Sequence, residues 1–102
     1  MQFAKQLRTR VRSGRIRCSV RVWTRPHVKV GGRYPMEGGY VVVDAIEEIS
    51  VDDVTYDLAR ESGFDTVEEL LRIAKHGKGQ NVYLVRFHYL APGAWDVRRN
   101  EA

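Results

Sequence analysis

Gly14-Arg15-Ile16-Arg17-Cys18-Ser19-Val20-Arg21-Val22-Trp23 is where the hydrophobic period of this chain changes. Before it, Phe3, Leu7 and Val11 recur every four residues and stack on one side of a helix. Lys5, Arg8, Arg10 and Arg12 fill the other sides, and Ser13-Gly14 supplies the stop, because glycine tolerates the left-handed conformation of a helix C-terminus. From Arg15 the period is two. Ile16, Cys18, Val20 and Val22 alternate with Arg15, Arg17, Ser19, Arg21 and Trp23, which predicts a strand with one buried face. The exposed face then carries a row of guanidiniums about 6.6 Å apart, ending in an indole. Arg25-Pro26 breaks the strand, since proline cannot donate to the ladder.

Val28 and Val30 predict a short second strand turned at Gly31-Gly32, and Pro35 with Gly38-Gly39 bounds another turn. Tyr40–Ile49 is a long strand rich in β-branched residues. Ser50 or Asp52 caps a helix running to about Ser62 and stopped by Gly63. Asp65 with Glu68 forms a capping box, and Val67, Leu70, Leu71 and Ala74 give the apolar stripe of a third helix. Lys75–Gly79 is a loop, Asn81–Leu90 a closing strand, and 91–102 a loose tail. Tyr83, Val85, Phe87 and Tyr89 share a face of that last strand, where core packing is the expectation and a base-stacking platform the alternative. The order is helix, strands, two helices, closing strand, which predicts one α+β domain over residues 1–90, built on a small, partly closed barrel.

At 102 residues the chain has room for one core and folds without needing a metal or disulfide. The single Cys18 forms no internal bridge, which fits a reducing cytoplasm. No apolar h-region follows the basic N-terminus, and the longest apolar stretch, around Tyr40–Ile46, falls far short of a membrane span. The net charge of +4 conceals a segregation: residues 1–36 hold ten Lys/Arg and no acid, whereas ten acids between Asp44 and Glu69 face Arg60 alone. Such asymmetry points to an anionic partner. The alternative is a basic face answered by the acidic face of the same molecule or of a second copy, which makes a homodimer through charge complementarity.

Arginine grips phosphate as a planar fork and also stacks on bases. A row of guanidiniums beside Trp23, with the Ser19 hydroxyl between Arg17 and Arg21, therefore suits a nucleotide: charge for a backbone, a flat surface for a base. The competing reading has Arg17 and Arg21 paired with carboxylates of the acidic helices, stapling the fold.

The run Gly14-Arg15-Ile16-Arg17-Cys18-Ser19-Val20-Arg21 resembles the G-x-K-x-x-T-x-R signature of ASCH domains, members of the PUA-like superfamily. The likeness extends through Val30–Tyr34, Ile46–Ser50, Leu58–Phe64, Glu69-Leu70 and Val82–Leu90, so that residues 3–90 are covered. The resemblance implies a small β-barrel with helices grouped beside a cleft that binds RNA or a modified nucleoside; the strand's own pattern makes Arg15, Arg17, Ser19, Arg21 and Trp23 the candidates for that binding. Some small ASCH proteins hydrolyse the acetyl group of acetylcytidine with the motif Lys, the motif Thr and a helix Glu. Here Gly14 and Arg21 match the motif, Ser19 keeps the hydroxyl, and Glu61 is nearest to the helix Glu, with Ser62 competing for that register. Ile16 stands where the Lys belongs and can neither activate a nucleophile nor move a proton. Arg15 and Arg17 cannot replace it, because guanidinium stays protonated. The expectation is therefore a binding module, with amidohydrolysis by Ser19 and Glu61 as the second reading. No cofactor is implied. His27, His76 and His88 lie too far apart in sequence for a metal motif, and the Gly/Lys loop at 75–79 lacks the spacing of a phosphate loop.

Overall fold

The structure, a computed structural model, describes residues 1–75 and 79–93. Helix α1 spans Lys5–Arg12 and buries Leu7 and Val11. It ends at Ser13, and Gly14 takes a positive φ of 82°, with the Arg15 and Ile16 amides both donating back to the Arg10 carbonyl. Those two bonds hold residues 15–17 to the helix end, so strand β1 begins only at Cys18 and runs to Trp23. Arg15 and Arg17 thus precede the strand rather than forming part of it, a correction to the expected Arg15–Trp23.

Three further strands follow: β2 at Arg33–Met36, β3 at Gly39–Ile49 and β4 at Asn81–Leu90. They make one antiparallel sheet in the order β1-β4-β3-β2, curled into a half-barrel. The Val28–Val30 strand does not form. Val28 is buried and Val30 exposed in an irregular segment, while the Gly31 amide and Gly32 carbonyl bond to Val43 and extend the ladder past β2. Pro35 sits inside β2 rather than bounding a turn, which an edge strand permits because its missing N–H can face away from the ladder. The register shifts between Val43 and Ala45, leaving Asp44 as a bulge whose carboxylate meets His88 Nδ1 at 2.9 and 3.0 Å.

The long helix expected from Ser50 to Ser62 is two pieces. Ser50 and Asp53 cap each other across a 3₁₀ turn at Val51–Asp53, Val54 extends into the core, and α2 runs over Tyr56–Glu61 from a Thr55 cap. Burying Val54 is what separates them. Helix α3, Val67–Ala74, is capped by Thr66, whose Oγ1 accepts from the Glu69 amide at 3.1 Å, one residue later than the expected Asp65–Glu68 box. Among the described residues no helix is long and apolar enough to cross a membrane. His76 and most of the predicted loop and tail lie outside the described residues.

The sheet is covered on both faces. On one, Cys18, Val20, Val22, Val82 and Leu84 pack beneath α2 and α3 with Val54, Ala59, Leu70 and Ala74. On the other, Phe87 and Val41 meet Phe3, Leu7, Val11 and Ile16, while Trp23, Tyr83 and Val85 close a third cluster with Val28 and Val43. Tyr83, Val85 and Phe87 are core residues, not a stacking platform.

Candidate functional site: a cleft at the free edge of β1

Strand β1 pairs with β4 along one edge, and on the other, among the described residues, only Val22 is engaged, in an isolated parallel bridge with Lys75. Its other edge opens into a cleft of about 440 Å³ between the lead-in to α1 and the α2–α3 pair. Ser19 and Arg21 line it from the strand, Gln2 and Phe3 from the chain preceding α1, Ser62 and Phe64 from the α2–α3 connection, and Ile73 from α3.

Gly63 fixes this connection. Its φ of 98° turns the chain out of α2, and a β-carbon there would come within 2.7 Å of Ile16 Cδ1 and 2.8 Å of Leu7 Cδ2. The absence of a side chain lets the connection lie against α1 and places Ser62 and Phe64 on either side of the contact.

Arg21 is the charged group of the cleft. Its Nε donates to Ser19 Oγ at 2.7 Å, its Nη2 donates to the Gln2 carbonyl at 2.6 Å, and the guanidinium lies 5.1 Å from the centroid of the Phe3 ring. Burial pulls the Arg21 pKa down to about 10, so it remains a cation at neutral pH. The Met1 amino group is lowered as well, first by burial and then by repulsion from Arg21. Among the described residues no carboxylate pairs with Arg21, and none lines the cleft. Guanidinium has five N–H donors. Two are used here, and because no buried side-chain nitrogen among the described residues lacks a partner, the unbonded Nη1 is not sealed from solvent. Ser19 Oγ accepts from Arg21, which leaves its own proton free for a guest.

The structure brings Ser19 and Arg21 together and separates the other expected residues from them. Arg17 is exposed, its Nε donating to the Gly14 carbonyl at 3.2 Å, and Arg15 is exposed beside it. Neither pairs with a carboxylate among the described residues. Trp23 is only 7% exposed, stacked on His27 with ring centroids 4.7 Å apart and tilted against Tyr83. The expected outward row of guanidiniums ending in a free indole is therefore corrected: both faces of β1 are covered, and only Arg21 of that row enters the cleft. Ile16, at the motif-Lys position, is buried against α1 and Phe87 and does not line the cleft.

Glu61 is on the opposite side. It lines a second cavity of about 430 Å³ with Glu47, Asp53, Asp57 and Arg86. Cys18 faces that way too: its thiol is pushed up to about 11 by burial and then by Glu61, against a smaller opposing pull from Arg86. Successive strand residues point to opposite faces, so Cys18 toward Glu61 means Ser19 away from it. Ser62, not Glu61, occupies the cleft.

Gln2, Phe3 and Phe64 were missed by sequence reasoning, and Ser62 entered it only as a competitor for the register of Glu61. All but Phe3 lie outside periodic segments, and the Gly63 turn is the one local signal that could have singled out Ser62 and Phe64.

No family model, curated protein or solved structure matches the chain.

Proposed function

We propose that this protein is a non-catalytic module of ASCH, PUA-like type that binds RNA or a nucleotide at the free edge of β1, with a phosphate held by Arg21 and Ser19. One observation carries the reading: a half-buried guanidinium faces an open cavity with donors to spare and no carboxylate of its own. An uncompensated charge taken from water costs free energy, which an anionic guest would recover. The cleft's Phe3, Phe64 and Ile73 offer apolar surface for a base beside that cation. Exposed Arg15 and Arg17 extend the basic character beyond the cleft. The curled sheet with helices beside it is the coarse form of the barrel that the resemblance implies.

Hydrolysis is disfavoured on the same geometry. The described cleft residues include no carboxylate, the motif Lys is a buried Ile16, and Glu61 lies across the sheet from Ser19.

Phosphate-dominated binding falls linearly in log K against log salt, with a slope near −0.7 per neutralised phosphate on single strands. Titrating a short single-stranded RNA by fluorescence anisotropy at several salt concentrations should show that fall. Arg21→Ala and Arg17→Ala should each weaken binding and flatten the slope by about 0.7. No binding at low salt, or normal binding by both variants, defeats the proposal.

A further inference from the structure

We infer that Ser62 selects the guest, favouring a nucleotide whose base carries an exocyclic amino group, cytosine at C4 or adenine at C6, over one carrying a carbonyl at the same ring position, uracil or hypoxanthine. This deepens the reading of the cleft given above and rests on it. Ser62 lines the cavity while only 3% exposed, at the end of α2. Its hydroxyl donates to the Leu58 carbonyl at 2.6 Å, with the Ala59 carbonyl at 3.3 Å sharing the same proton. A serine hydroxyl has one proton and two lone pairs. With the proton committed inward, Ser62 presents to the cavity an acceptor and nothing else.

The polar side chains that β1 contributes have the opposite sense, while the exposed Gln2 carboxamide at the rim carries both donors and an acceptor. Arg21 offers donors alone, and Ser19, accepting from Arg21 Nε, has its proton to give. The cleft is therefore asymmetric, with donors for an anion on β1 and an acceptor on the α2–α3 connection. Between them lie the apolar side chains of Phe3, Phe64 and Ile73. About 440 Å³ falls in the range of small-molecule pockets, which suits one nucleotide unit rather than a duplex. A carbonyl set against Ser62 would bring lone pairs together in a desolvated place, whereas an amino group would be bonded. The difference of one buried hydrogen bond is worth roughly tenfold in affinity.

The test is calorimetric titration of the full chain with CMP, UMP, AMP and IMP. Wild type should favour CMP over UMP and AMP over IMP by roughly tenfold. Ser62→Ala should bring each pair to near-equal affinity while still binding all four, and Arg21→Met should bind none. Should Ser62→Ala lose its folded circular dichroism spectrum, Ser62→Cys, similar in size and a weak acceptor, takes its place. Equal affinities within both pairs in wild type overturn the inference but leave the cleft's anion site standing. Failure of all four to bind, with RNA also unbound, overturns both.

Discussion

Replacing Arg21 by methionine separates a ligand-binding arginine from a structural one. The fall of the Arg21 pKa to about 10 on burial means that holding the charged guanidinium in place costs about 3 kcal/mol, at about 1.4 kcal/mol for each factor of ten. Against that stand two charge-assisted hydrogen bonds, to Ser19 Oγ and the Gln2 carbonyl, contributing about 1.5 kcal/mol each. The two sides nearly cancel. Arg21→Met, similar in length and apolar, should therefore leave the free protein within about 1 kcal/mol of wild type, or roughly 4–8 °C in Tm for a domain of this size. A cation buried against a carboxylate would behave differently, since breaking such a pair costs about 3–5 kcal/mol. The ligand response should diverge completely. At ten times Kd a bound nucleotide stabilises wild type by about 1.4 kcal/mol, a rise of about 5–10 °C; the variant should show none. Thermal unfolding followed by circular dichroism, with and without ligand, gives both quantities. A retained ligand shift in Arg21→Met refutes the assignment of Arg21 as the anion-binding group. A drop of more than about 15 °C in the free variant refutes the cancellation, and makes Arg21 a strut tying Gln2 to β1.

Gly63→Ala forces a β-carbon against Ile16 and Leu7 at a positive φ and should cost about 2–3 kcal/mol, lowering Tm by about 10 °C or more; an unchanged Tm would contradict the packing described. Cys18 has a raised pKa in the fold, so its contribution is complete below pH 9 and lost as pH rises toward 11, because the unfolded thiol ionises first. The stability advantage of wild type over Cys18→Ala in urea unfolding should shrink by about 3 kcal/mol between those limits, Arg21 being common to both; a constant difference argues against it. Ile16→Lys restores the resembled motif but puts an ammonium among Leu7, Val11 and Phe87, and should destabilise by about 3 kcal/mol or more without creating turnover of acetylcytidine. A stable, active Ile16→Lys protein would show that position 16 belongs to a working site.

Where one face of an element is buried and the other wet, the sequence states the fold directly. The four-residue spacing of Phe3, Leu7 and Val11 and the stripe on α3 are of this kind. Caps were displaced by a residue or more because Ser50, Asp52, Thr55, Asp65 and Thr66 are all competent, and tertiary placement of Val54 decides among them. Pro35 misled because a proline reads as a turn unless the strand is known to be an edge. Strand β1 was the hardest to read. Its alternation of apolar and basic residues matches a strand with one exposed face, yet residues 1–4 and Tyr83 cover the side holding Ser19, Arg21 and Trp23. Nothing local to the strand announces a cover supplied by the chain's own beginning.

In the proposed binding reading, that cover is also what would give the cleft a selectivity for charge. An arginine on an open strand face would be solvated, would grip any polyanion loosely and would contribute little to discrimination. Brought under Phe3 and the Gln2 carbonyl, Arg21 loses part of its water and keeps unspent donors, so its interaction with an anion is stronger and directional. The same sheet keeps the acids away: Glu47, Asp53, Asp57 and Glu61 gather on the face toward which Cys18 points, not the cleft side. Moving one carboxylate across would test this division. Ile73→Glu places an acid on the cleft wall, where it would compete for Arg21 and abolish anion binding while leaving an exposed position on α3 structurally undisturbed. Undiminished nucleotide affinity in that variant would mean that the cleft is not where the anion sits.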